Sequence, residues 1–415
     1  MRTPVIIGEN RNNILIRMLR FVFYYNHYNT LGHSTRVFSL IRGLKLELKQ
    51  KVEIVVLLGG KRQSFFPFYK YAQVVQLPYS MGKIGMLLEE QTNIYKQMIQ
   101  NNRMGGMLKK RHDVIKCVLN KYKPQVFITE YFPFGKEFWT FEVPYVLDYI
   151  RSNLRCRIVG SSGYLNCIEN TYEYIKDYYD TLFIHSPEEF SRDYYKYLHK
   201  SGIIQLNRVL AEYPEKVCFT GFVLESSDDN LWKKVKNKYA AGKKSRLVLV
   251  SRGGGIVNKK IIIASILSAK ANKDLFFLVC CGPATSANEF MQYNRLSKGI
   301  RNVKLFKSIL PSEFASFVKA ADVSVNMAGY NTTVKLLYYD KKTVLVPYET
   351  YEQLWRADLT RQYLQSRIVK ESQVTAGAIG QNVRGLLDDK RSLLKINRDW
   401  FRGVPQTVAA LKCLI

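Results

Sequence analysis

Residues 326–361 read NMAGYNTTVKLLYYDKKTVLVPYETYEQLWRADLTR. A short β-branched run, Val323–Val325, leads into this stretch, and Ala328-Gly329 makes a turn. Asn331, Thr332 and Thr333 then open a helix, as small polar residues do at helix starts. A second apolar run, Thr343–Val346, stops at Pro347. Tyr348 to Gln353 follow, then a further helix carrying Arg356. Strand, helix and strand in this rhythm imply parallel pairing through a right-handed crossover. The N–H groups and hydroxyls at Asn331–Thr333 face an anion by helix-terminus logic. The Glu352-Gln353 pair combines donors and acceptors that suit sugar hydroxyls.

The same alternation runs back through the second half. Strands are expected at Leu247–Val250, Leu275–Val279 and Val303–Phe306. The first is followed by Ser251-Arg252-Gly253-Gly254-Gly255, where glycine N–H groups and the Arg252 cation suit phosphate oxygens. It is not a Walker A loop, since no Gly-Lys-Ser/Thr follows, nor a G-x-G-x-x-G fingerprint, since position 258 is Asn. The second strand is followed by Cys281-Gly282-Pro283-Ala284, which suits the same cleft.

In the first half, Leu19–Tyr25, a helix from Gly32 and Val52–Leu58 make a β-α-β start. Later strands are expected at Val74–Leu77, Val126–Thr129, Arg157–Val159 and Leu182–Ile184. Residues 80–110 read as a helix and a mobile loop. The lysine-rich run Asp228 to Arg246 reads as a helix and loop near an interdomain linker. Four segments follow: an N-terminal extension 1–17, a first domain 18–220, a second domain 221–395, and a C-terminal helix 396–415 packing back toward the first domain. Two doubly wound α/β halves in series form a cleft between the carboxyl ends of their strands, where ligands bind in such sheets.

Two polar residues stand at that cleft. His33, in Leu31-Gly32-His33-Ser34, is a candidate general base or hydroxyl-orienting group. Glu130 ends a strand and either takes a proton, if its pKa is raised, or pairs with Lys136 or Arg36.

Of the 415 residues, 47% are apolar and 13% aromatic, which excludes a disordered chain. Lys and Arg number 63 against 34 Asp and Glu, a net +29 that calls for an anionic partner or reflects coding bias. No run approaches the ~18 apolar residues of a membrane span. Seven scattered cysteines without C-x-x-C spacing fit a reducing cytosol and no zinc site. The run Leu108 to Lys123 reads as a basic amphipathic helix suited to an anionic lipid surface. A nucleic-acid partner is disfavoured, because the aromatics sit mostly in apolar runs.

The segments LGHSTR, EYFPFG, SRGGGI, CGP and AGYNTT…VP…EQLWRA together resemble the GT-B glycosyltransferases. The nearest likeness is the branch of the peptidoglycan lipid-intermediate N-acetylglucosaminyltransferase and its relatives. The resemblance implies two Rossmann-like domains facing across a cleft. It implies metal-independent transfer of a sugar from a nucleotide-sugar, UDP-linked by preference, to a hydroxyl acceptor. That acceptor is a glycan, a lipid-linked molecule or a small molecule, with no cofactor. It further implies a cytoplasmic enzyme, peripheral on the inner face of a membrane when the acceptor is lipid-linked. No D-x-D metal motif is present.

By this resemblance His33 matches the family's Gly-His loop, and with Glu130, read above from its place at a strand end, it makes the catalytic pair expected here. The donor is held by Arg252, Gly253, Gly254, Gly282, Ser308, Gly329, Asn331, Thr332, Lys335, Glu352 and Gln353. Lys335 stands where the family places a ribose-binding Glu. A lysine there reaches a phosphate instead, or marks a site that has lost its donor. The alternatives are a nucleotide-sugar epimerase or hydrolase and a non-catalytic GT-B partner.

Overall fold

The computed structural model describes residues 18–27, 31–60, 66–78, 103–135, 142–225, 227–241, 245–348 and 350–415. The expectations for residues 1–17, and for most of the 80–110 segment, lie outside the described residues.

Thirteen described strands form two sheets. The first runs β3-β2-β1-β4-β5-β6-β7, from β1 (Leu19–Asn26), β2 (Val52–Gly59), β3 (Gln73–Gln76), β4 (Val126–Glu130), β5 (Arg157–Ser162), β6 (Thr181–Ile184) and β7 (Val217–Phe219). The second runs β10-β9-β8-β11-β12-β13, from β8 (Arg246–Ser251), β9 (Leu275–Cys280), β10 (Val303–Phe306), β11 (Val323–Asn326), β12 (Lys342–Leu345) and β13 (Ser366–Ile368). All pairings are parallel.

Helices cover both faces, so central strands are apolar throughout rather than alternating. In β9, LFFLVC, every residue is buried, while the edge strand β3, QVVQ, has its two glutamines exposed. In each sheet the order reverses once, between β1 and β4 and between β8 and β11. Loops leaving those neighbours diverge and open a crevice at the strand carboxyl ends.

The run from Asp228 is part of the second domain. Asp228 caps the Asp229–Lys236 helix by accepting from Asn230 N and Leu231 N, and Lys319 pairs with Asp229 at 2.6 Å. The chain crosses between domains just before it, around residues 221–227, and again near residue 400. The two crossings lie side by side: Phe222 N donates to Trp400 O, and Gly403 N to Phe222 O. The final helix, Gly403–Cys413, lies on the Gly32–Leu48 helix of the first domain, where Lys412 meets Glu47 at 2.8 Å.

The apolar side of the Arg103–Tyr122 helix is taken up by the first core through Ile115, Val118 and Leu119. Only its outer face, with Lys109, Lys110 and Lys121, meets solvent, so the expected lipid-inserting stripe is packed inward. No helix among the described residues is long and apolar enough to cross a membrane.

Candidate active site

His33 lies on the first turn after β1, and Glu130 is the last residue of β4. They therefore meet at the switch point of the first sheet, with His33 Nδ1 3.0 Å from Glu130 Oε1. The same carboxylate accepts from Nε and Nη2 of the buried Arg36, and its Oε2 accepts from Ser161 Oγ at 2.9 Å. Ser161 in turn meets His185 Nε2 at 3.0 Å, and His185 Nδ1 meets Thr220 Oγ1 at 2.8 Å.

The proton positions follow from this order. With Ser161 donating to Glu130, His185 carries its proton on Nε2, and Thr220 donates to Nδ1. Burial works to raise the Glu130 pKa, but Arg36 and His33 outweigh it and hold it at about 2. An ionised carboxylate accepts only, so His33 donates from Nδ1 and, when neutral, keeps its lone pair on Nε2. Glu130 is thus not the raised-pKa proton acceptor envisaged from the sequence. Its partner is Arg36, and it also accepts from His33 Nδ1. His185 stays neutral, because burial and the nearby Arg36 lower its pKa to about 3.

The facing wall belongs to the second sheet. A cleft of about 420 Å³ is lined by Arg252, Gly253, Gly254, Gly282, Ser308, Gly329, Asn331, Thr332, Lys335 and Gln353. Gly32 and Thr35 border it from the first domain. The two glycine loops interlock, with Ala284 N donating to Gly254 O at 2.9 Å. Gly282 has φ +96°, and a Cβ there would stand 2.5 Å from Gly255 N, so only glycine permits this approach.

Arg252 is less available than its sequence position suggests. Its Nε donates to Cys281 O, its Nη2 to Thr285 Oγ1, and it pairs with Glu289 at 2.8 Å. It fastens the two loops together, and Nη1 alone has no protein partner.

The Gly329 turn is held from below. Ala328, at φ +57°, receives Arg356 Nε on its carbonyl at 2.7 Å, and Ala328 N donates to Asn326 Oδ1. The Tyr330–Tyr338 helix then starts with N–H groups that have no partner within the helix.

The Asn331 side chain turns away from this anion site and donates to Gly32 O of the first domain at 3.4 Å. Beside it, the Tyr330 hydroxyl donates to His185 O, and the Arg36 guanidinium lies 5.4 Å from the Tyr330 ring. The two walls are therefore joined here, and the domains touch again where Trp355 Nε1 donates to Asp193 and Tyr197 to Asp358. Glu352 does not line the cleft. It pairs with Arg356 at 2.6 Å, and its carboxylate lies near Tyr164 and within the field of His33. Gln353 Oε1 accepts from Tyr348 N, so only its amide nitrogen remains for a ligand.

Arg36 was named from the sequence as one of two partners for Glu130, whereas Ser161, His185 and Tyr330 were not singled out. A signal existed: polar residues stand at or just beyond the carboxyl ends of successive strands, Glu130, Ser161, His185 and Thr220.

The glycosyltransferase of kitacinnamycin has a similar structure, at 13% identity and a TM-score of 0.64, covering 96% of this chain and 99% of that one. MurG of Acinetobacter baumannii is 12% identical with a TM-score of 0.55, over 96% and 99%. UGT2 of Phytolacca americana, solved with UDP-2-fluoroglucose and pterostilbene, is 11% identical with a TM-score of 0.55, over 95% and 94%. These likenesses establish the two-domain fold. No curated protein matches the chain. Residues 247–399 match the glycosyltransferase family 28 C-terminal domain, which spans the glycine loops and the Gly329 turn.

The chain has the two-domain GT-B fold, and its second half matches a glycosyltransferase C-terminal domain.

In this GT-B fold the family-matched half supplies the glycine-rich wall. The first domain, outside the match, supplies the His33–Glu130 pair. Lys335 stands on the same helix face as Asn331, one turn on, and is buried at 3% exposure. Burial lowers its pKa, while the nearby Glu225 works to raise it.

Proposed function

We propose that the enzyme transfers a sugar from a nucleoside diphosphate, UDP by preference, to a hydroxyl acceptor. The observation that carries this reading is a cleft with a cradle of N–H groups on one side and, on the other, Gly32 and Thr35, the chain neighbours of the carboxylate-bound His33. The diphosphate lies between the Ser251–Gly255 loop and the Gly329–Thr332 turn. Their N–H groups meet the charge that grows as the sugar–phosphate bond breaks. His33 Nε2 takes the proton of the acceptor hydroxyl as its oxygen bonds to the sugar. Glu130 stays ionised, steadying the imidazolium through Nδ1–H. Ser308 and its neighbours Lys307 and Ile309 border the base. A UDP-sugar analogue in the similar UGT2 structure, and UDP in the similar MnaA structure of S. aureus, support the choice of uridine. The acceptor is a glycan, lipid-linked or small-molecule alcohol. The exposed basic face of the Arg103–Tyr122 helix suits a salt-sensitive contact with an anionic membrane surface.

Calorimetry with UDP, GDP, ADP and dTDP tests the donor site. UDP is expected to bind most tightly, and failure of all four to bind overturns the reading.

A further inference from the structure

The charge on the cleft wall is one-sided. Its described lining contains three cations, Arg252, Lys307 and Lys335, and no carboxylate. Arg252 is already committed to Glu289, Cys281 and Thr285. Lys307 is exposed on the loop after β10. Lys335 differs from both. It is buried against the cleft and makes no hydrogen bond or ion-pair contact with any described group. Glu225 is near enough to influence its charge but does not touch it, and Glu225 Oε2 is itself buried without a partner.

Its stem is buried and its ammonium reaches only the cleft, and a lysine so desolvated without hydrogen bonds costs more than a well-packed apolar side chain. Lys335 stands roughly 5 Å, one helical turn, beyond the N–H groups that open the Tyr330–Tyr338 helix. A ligand with one phosphate on those N–H groups brings a second anionic oxygen to about that depth.

Resting on the donor reading above, we propose that Lys335 sets donor specificity. Its ammonium holds an anionic oxygen of the nucleoside diphosphate, and the ribose 2′-hydroxyl is left unread. Discrimination for a hydroxyl arises when a buried group is left unpaired in its absence. A carboxylate, which accepts from both hydroxyls of a ribose, does this well. The described cleft offers none, and an ammonium satisfied by phosphate loses nothing when the 2′-hydroxyl is missing. The donor class is therefore a nucleoside diphosphate sugar in which ribose and 2′-deoxyribose are equivalent.

The test is calorimetry on the full chain with UDP and 2′-deoxyuridine diphosphate, repeated on Lys335→Met. The two nucleotides are expected to bind wild type within about threefold of each other. Lys335→Met is expected to weaken both about tenfold or more. The melting temperature should not fall, since the variant removes an unpaired buried charge. Tighter binding of UDP by tenfold or more overturns the inference while leaving the donor site standing. Unchanged affinity in Lys335→Met, with or without a fall in melting temperature, makes Lys335 a partner of Glu225 only and also overturns it. If neither nucleotide binds wild type, the donor reading itself fails. The comparison on wild type decides the matter even if the variant does not fold.

Discussion

At the carboxyl end of the first sheet the polar groups are paired in sequence. Thr220 donates to His185, His185 to Ser161 and Ser161 to Glu130, which also receives Arg36 and His33. At the carboxyl end of the second sheet, donors are left over. Among the described residues, the first N–H groups of the Tyr330–Tyr338 helix have no partner within the helix, Nη1 of Arg252 has no acceptor, and Lys335 makes no hydrogen bond or ion pair. A saturated network fixes geometry, and His33 is aimed because Glu130 cannot move. An unsaturated wall stores affinity, because a ligand supplies the missing acceptors. One wall is built for orientation and the other for binding, although both arise at the same switch point of the same kind of sheet.

The comparison breaks most visibly if the first wall tolerates loss of its centre. Glu130→Ala leaves Arg36 buried without a counter-charge and is expected to destabilise the fold by about 3–5 kcal/mol. Urea unfolding measures this, and a loss below about 1 kcal/mol means the network is not the frame described here. His33→Ala, by contrast, removes a partly exposed imidazole. It should lower the transfer rate about 10²–10⁴-fold with nucleotide affinity and melting temperature unchanged. A variant that loses UDP binding instead places His33 on the donor side.

On the second wall, Gly282→Ala drives a Cβ into Gly255 N and separates the interlocked loops. The backbone strain costs about 1–3 kcal/mol, and diphosphate affinity should fall with little change in the His33-dependent step. Equal affinity in this variant would detach the phosphate site from these loops.

The first wall also sets an acid limit. His185 titrates at about 3 when folded against 6.5 in a free histidine, so the unfolded chain binds its proton first. Stability is therefore complete above pH 6.5 and lost as pH falls toward 3. Glu130, at about 2 against 4.5, adds a second loss below pH 4.5. Each contributes at most about 1.4 kcal/mol per pH unit. His185→Gln should flatten the upper part of the profile, between pH 6.5 and 4.5, and leave the lower part. The smallest effect is expected far from both walls. Replacing Lys109, Lys110 and Lys121 by Gln should move the melting temperature by no more than about 2 °C. If the basic face meets anionic lipid, the same variant loses salt-sensitive binding to anionic vesicles.

Much of the second wall was legible in the sequence because its chemistry is local. Glycines, a helix start and their place after a strand are written in consecutive residues, from Ser251 to Gly255 and from Gly329 to Thr332. The main strands were legible for the same reason, since buried parallel strands are unbroken apolar runs. The strands β7 and β13, three residues each at the sheet edges, carry too few residues to show a period. For the Arg103–Tyr122 helix the sequence could not say what receives its apolar side, because an apolar stripe has the same spacing whether a core or a membrane receives it.

The sequence by itself determined that two β/α halves would face each other, that glycine loops and a helix start would form one wall, and that His33 would open a helix while Glu130 ended a strand. Tertiary structure alone decided what these groups are. Arg252 became a fastener because Glu289 and Thr285 come to it from the helix region after β9. Glu130 became an ionised anchor because Arg36, 94 residues away in sequence, folds against it. Lys335 became a buried donor because, among the described residues, no carboxylate comes within ion-pair distance, Glu225 acting on it only from further off. A side chain's ionisation and availability depend on what lies within a few ångströms of it in space. Neighbours along the chain do not record that environment when the contacts are made across a sheet or between domains.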